Sequence, residues 1–176
     1  DSNMDVHTIT AVEAYFTGER QEGLAILAFS IGIVLVAVGL YVVGRDGFSR
    51  GFGAVALALA ILLSSTVVSL MRRDAPHQAA LVAGLRGEAA GKVVAEEASR
   101  IDDVIRKYPY YRGGALVFGV LALAAVAFSR RDWVHGAAAG LLVLVIAQIM
   151  IDHYSEARAT RYSGALKAAV SKTTEG

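Results

Sequence analysis

The chain contains no cysteine and only two prolines. The first absence excludes disulfides, thiolate metal sites and a cysteine nucleophile, and it leaves the redox compartment undetermined. Both prolines, Pro76 and Pro109, lie outside the long apolar runs, so neither interrupts a helix there. Charge is also scarce. Asp, Glu, Lys and Arg make up 19% of 176 residues, and the formal net charge of +1 gives no basis for holding a nucleic acid by counterion release. No phosphate-cradling glycine loop, HExxH motif or nucleophile elbow occurs.

What is present is hydrophobic: 55% of residues, with a mean hydropathy of +0.51. The charges gather at 1–22, 45–50, 72–112, 130–132 and 152–176, leaving four nearly uncharged stretches. A soluble amphipathic helix would interleave charge with apolar residues every three or four positions, and these stretches do not. The first, Gly23 to Gly44, would cover roughly 33 Å as a helix, enough for a hydrocarbon core of about 30 Å. The others are Phe52 to Met71, Gly113 to Phe128 and Trp133 to Ile151, with aromatic residues such as Tyr41, Tyr110, Phe128 and Trp133 at their ends as interfacial anchors. The first run follows acidic residues rather than a basic region, so it reads as a span and not as a secretory signal. Met4 is the first methionine, and Asp1-Ser2-Asn3 read as a remnant ahead of it.

The expected fold is therefore an all-α polytopic membrane protein, with four transmembrane helices as two similar hairpins and with amphipathic or extramembrane helical extensions. Residues 1–22 form an N-terminal segment, 23–71 the first hairpin, 72–112 an extramembrane connector, 113–151 the second hairpin and 152–176 a C-terminal extension. Thr10-x-x-Glu13 has the form of a capping box, and Ile9, Val12 and Phe16 predict a short helix lying on the bilayer and ending at Gly18. In the connector, Val94, Ala98, Ile101, Ile105 and Tyr108 recur at helical steps, with Glu96, Glu97, Arg100, Asp103 and Lys107 assigned to other faces. Gly84, Gly87 and Gly91 should separate this helix from the second span, and Pro109 should end it.

A shift of 85 residues lays Arg50-Gly51 over His135-Gly136 and HQAALVAGL (77–85) over YSGALKAAV (162–170). Two copies of a two-span unit would share one orientation, related by an axis along the membrane normal. Orientation itself follows from basic residues. The short loops hold Arg45, Arg50, Arg130 and Arg131 of the 17 Lys and Arg, so both termini are expected in the cytoplasm. The Ala/Gly/Val-rich composition and compact hairpins point to a prokaryotic inner membrane.

Polar residues inside spans are the first candidates for chemistry. They are Ser30, Ser64, Ser65, Thr66, Ser69 and Gln148, with no ionisable group deep in any span. Ser64 and Gln148 fall at similar depth, so the expected role is interhelical hydrogen bonding, with a substrate or ion path as the alternative. Gly32, Gly39, Gly136 and Gly140 are candidates for close helix packing, inside the bundle or between copies in a homo-oligomer. Asp152 and Glu156 are like-charged neighbours one turn apart, with His153 in the same arc. Arg72, Arg73 or Arg100 should neutralise them. A divalent metal or a polar ligand is the alternative, although no ligand spacing supports it. A haem held by two histidines is disfavoured because His135 and His153 lie at opposite membrane faces.

The function read from these features is that of a non-enzymatic structural, accessory or oligomer-forming protein in a lipid bilayer. A pore or small-solute transporter, and a surface metal- or ligand-binding protein using Asp152, His153 and Glu156, are the alternatives.

Overall fold

The computed structural model describes the backbone of residues 2–87 and 89–175, and the side chains of 6–87 and 89–171. Its described residues form five helices and no strand: α1 (Ser2–Gly44), α2 (Gly47–Leu85), α3 (Ala90–Ile105), α4 (Tyr108–Phe128) and α5 (Asp132–Glu175). Four stretches, with α3 and α4 taken together, are long and apolar enough to cross a membrane. The breaks between helices have local causes. Arg45 adopts a left-handed conformation with φ 52° and ends α1, as αL residues commonly do at a helix C-terminus. Asp46 then caps α2, its Oδ1 accepting from the Ser49 amide at 2.8 Å. Arg86 and Gly87 turn the chain between α2 and α3, where glycines predict a break. Pro109 is the second residue of α4, where a missing amide hydrogen leaves no helical bond unmade.

The chain divides into two compact units. The first gathers Asp1–Glu22, Leu70–Pro109 and His153–Gly176, and the second Gly23–Ser69 and Tyr110–Asp152. The polar segments, which look separate along the sequence, thus share one unit. Its core holds Val12, Ile101 and Leu166, all fully buried, with Leu81, Leu85 and Val94 and the rings of Tyr15, Phe16, Tyr108 and Tyr162.

The short surface helix expected at the N-terminus is corrected by this arrangement. α1 runs unbroken through Gly18, and Val12 and Phe16 are core residues rather than a bilayer-facing stripe. Thr10 lies inside the helix, and its hydroxyl donates to the Val6 carbonyl at 2.8 Å instead of capping. Gly18 has a packing role. A Cβ there would sit 2.6 Å from Arg158 Cδ, so the glycine makes room for the arginine stem.

The second unit is built the other way round. Most of its buried apolar residues are alanines, Ala37, Ala56, Ala60, Ala115, Ala122 and Ala138, and the larger ones are few: Ile33, Phe52, Val67 and Val145. Large apolar side chains point outward, among them Ile31, Leu35, Val43 (89% exposed), Leu121 and Phe128 (88%). Small residues inside and large ones outside are what hydrocarbon as solvent selects.

α2 and α5 approach closely at two glycines. A Cβ on Gly51 would fall on the Trp133 carbonyl, and one on Gly136 on the Phe48 carbonyl. The two contacts are reciprocal under the 85-residue shift. Gly140 also packs, against Val55 and Phe52. Gly32 and Gly39, read as packing residues on the same grounds, have nothing within 4 Å.

Candidate functional site in the polar unit

The first unit buries a carboxylate. Glu97 on α3 is 3% exposed. It stands three residues after Val94 and four before Ile101, which places it on the apolar face of the helix and not on another face, as its charge had implied. Arg100, one turn on, grips it with two bonds, Nε to Oε2 and Nη2 to Oε1, each 2.7 Å. His77 Nε2 lies 3.2 Å from Oε2, and the Tyr162 hydroxyl donates to Oε1 at 3.3 Å. A carboxylate has about four lone-pair positions, so these four contacts saturate it.

Aromatic rings hold this group in place. Tyr15 stacks on Tyr162 with ring centres 4.4 Å apart, Phe16 meets Tyr15 edge-on at 5.3 Å, and the His77 ring lies 5.9 Å from Phe16. Burial pushes the Tyr15 and Tyr162 hydroxyls well above the ordinary tyrosine range, with Glu19 and Glu97 respectively adding to the effect. The bond to Glu97 likewise raises the Arg100 guanidinium, against the opposing effect of its burial. The rings are neutral and the guanidinium charged over the whole physiological range.

A second ionic group involves α1 and α5. Arg158 Nη2 donates to Glu19 Oε1 at 2.7 Å and Glu22 Oε2 at 2.6 Å, and Ser155 Oγ donates to the other Glu22 oxygen. Arg158 Nε is buried with no hydrogen-bond partner. Tyr108 is pushed up to about 12, by burial first and then by Glu19 and Glu22. Nearer the C-terminal end of α5, Asp102 accepts from Ser163 at 2.7 Å and from Lys167 at 2.9 Å. The lysine, then the serine, holds its carboxyl below the usual range.

The residues singled out from the sequence lie elsewhere. Asp152 is 4% exposed and accepts from Gln148 Nε2 at 2.8 Å. His153 is exposed, with its ring 5.6 Å from that of Tyr154, and Glu156 is half-buried. Among the described residues, no group of three or more His, Asp or Glu is placed to hold a metal ion. Arg100 and Arg73, expected to neutralise this patch, are bonded to Glu97 and Asp74.

In the second unit the polar side chains mostly bond along their own helices. Ser65 and Thr66 each donate to the Leu62 carbonyl at 2.9 Å, Ser30 donates to the Ile26 carbonyl, and Gln148 turns to Asp152 rather than to Ser64. Ser64 is half-buried and Ser69 exposed.

Four apolar helices and a core of small residues define an integral membrane protein, one that also carries a polar helical unit. No family model, characterised protein or solved structure matches the chain.

Proposed function

We propose that the chain is a non-enzymatic structural or accessory membrane protein that assembles with further copies of itself. The observation that supports this most is the saturation of Glu97. The most buried charge in the polar unit is held by Arg100, His77 and Tyr162, leaving no lone pair to take a proton from a substrate. Such a network fixes one arrangement of helices. Gly32 and Gly39, with open space above each, leave a shallow strip on α1 that a second helix can approach closely. The reciprocal contacts at Gly51 and Gly136 support reading the two hairpins as copies of one unit. The distribution of Lys and Arg supports both termini in the cytoplasm, and the Ala/Gly/Val-rich composition with compact hairpins supports a prokaryotic inner membrane. The Ser65 and Thr66 hydroxyls are spent on their own helix, so we do not argue for a pore lining.

The chain has no native cysteine to interfere with disulfide mapping. Gly32→Cys and Gly39→Cys, oxidised in native membranes, should give disulfide-linked dimers, whereas Ser129→Cys in the loop between α4 and α5 should not. If no position cross-links and the full chain sediments as a monomer in detergent and in nanodiscs, the self-assembly reading is wrong.

A further inference from the structure

The second unit carries a cleft of about 350 Å³ between α1 and α2. Val34, Ala37 and Val38 of α1 and Gly53, Ala54 and Leu57 of α2 line it. Nothing lies within 4 Å of where a Cβ on Gly53 would be. All six residues belong to the apolar runs, so the medium that meets the cleft is hydrocarbon. Its other lining residues are polar or amphipathic and lie towards the α1–α2 turn: Tyr41, Ser49 and Arg50. Tyr41 is 51% exposed, and Arg50 is exposed.

Size decides between a helix and a chain of methylenes. One turn of a helix about 10 Å across fills roughly 400 Å³. The cleft holds less than that, so it takes part of one acyl chain rather than a whole helical turn. Charge decides the head group. The two short loops lie together, since a Cβ on Gly47 would be 3.2 Å from Asp132 Cβ. They carry Arg45, Arg50, Arg130 and Arg131, all exposed, against Asp46 and Asp132. Asp46 is close enough to Arg50 to feel its charge, but its Oδ1 is held by the Ser49 amide and hydroxyl at 2.8 and 2.5 Å. The mouth therefore keeps an excess of positive charge.

We propose that this cleft binds one acyl chain of an anionic phospholipid, whose phosphate is held by Arg50 with the Tyr41 hydroxyl beside it. Basic residues where helices meet the membrane surface attract anionic head groups, here those of the leaflet opposite the termini. The site is independent of self-assembly.

The test titrates the delipidated full chain with palmitoyl-oleoyl phosphatidylglycerol, and separately with the matching phosphatidylcholine, read by native mass spectrometry. Phosphatidylglycerol should bind more tightly, one molecule per chain. Removing a basic residue near the surface is worth about 1 kcal/mol, so Arg50→Ala should weaken phosphatidylglycerol roughly five-fold and leave phosphatidylcholine unchanged. Gly53→Leu, which fills open space, should weaken both lipids. Ala54→Leu serves the same purpose should the first variant lose monodispersity. Equal affinity for the two lipids, or phosphatidylglycerol binding untouched by Arg50→Ala and by filling the cleft, overturns the proposal. Displacement of the lipid by inorganic phosphate alone would reduce the site to an anion site and overturn it too. A disulfide between copies at Gly53→Cys would assign the cleft to a second chain, with the same consequence.

Discussion

The polar unit and the apolar unit solve opposite packing problems with the same secondary structure. In the polar unit large aromatic side chains are buried: Tyr15, Phe16, Tyr108 and Tyr162 fill the centre, and charge that enters is paired. In the apolar unit alanine and glycine line the contacts while leucine, valine and phenylalanine face outward. Water makes burial of large apolar surface favourable, at about 25 cal/mol per Å². Hydrocarbon supplies no such force, so helices there associate by close approach and dispersion. The difference teaches that each unit should be fragile at a different kind of residue.

The sharpest test of that contrast is a methyl-bearing side chain at the helix crossing. Gly136→Leu must push α5 off the Phe48 carbonyl, and Gly51→Leu must do the same at Trp133. We expect a loss of about 3 kcal/mol, the upper end of overpacking costs, or failure to assemble. Gly32→Ala, with open space around it, should be neutral or gain up to about 1 kcal/mol from helix propensity. Unfolding in detergent measures all three, and equal effects would erase the distinction between the two classes of glycine.

In the polar unit the weak point is a charge. Glu97→Gln removes the carboxylate that Arg100 grips. Breaking a fully buried pair costs roughly 3–5 kcal/mol, but Arg100 retains about a third of its exposure, so about 2 kcal/mol is expected. Hydrogen exchange should accelerate in α3 and in 153–171 while the apolar unit keeps its protection. Unchanged exchange in α3 would mean that the network does not hold the unit together.

The smallest effect at neutral pH, and a growing one in alkali, comes from the tyrosines. An unfolded tyrosine ionises at about pH 10, whereas Tyr108 is held at about 12 and Tyr15 and Tyr162 are raised further. The folded state keeps the proton and the unfolded state loses it. The contribution is therefore complete below about pH 10 and declines as pH rises through the folded values. The polar unit should open in alkali before the apolar unit, whose core holds Ile33, Phe52 and three alanines but no tyrosine. Absorbance of tyrosinate followed alongside hydrogen exchange would show the order. Ionisation of Tyr15, Tyr108 and Tyr162 near pH 10 with both units intact would contradict their burial.

The four spans were legible because segregated charge is a property of the solvent, readable from composition alone. The rest depended on contacts that no local pattern encodes. Gly18 reads as a stop until Arg158 is seen beside it, and the bonds joining Glu19 and Glu22 to Arg158 close over 139 and 136 residues. Gly32 and Gly136 are the same residue in similar surroundings, and only the fold says which one another helix touches. Glu97 is legible in principle: its spacing from Val94 and Ile101 marks the buried face, although its charge points the other way. Its partners on α2 and α5 carried no comparable signal.

The polar unit draws on three separate segments of the chain, with two crossings between the first and second contributions and two more before the third. An even number of crossings returns each piece to the same compartment. It also sets a timetable, because Tyr15 waits for Tyr162, and Glu19 and Glu22 wait for Arg158, until the final span has been threaded. Closure of this unit therefore needs Tyr15 and Tyr162, and Glu19, Glu22 and Arg158, on one side of the bilayer, a condition that a chain missing one of these crossings could not meet.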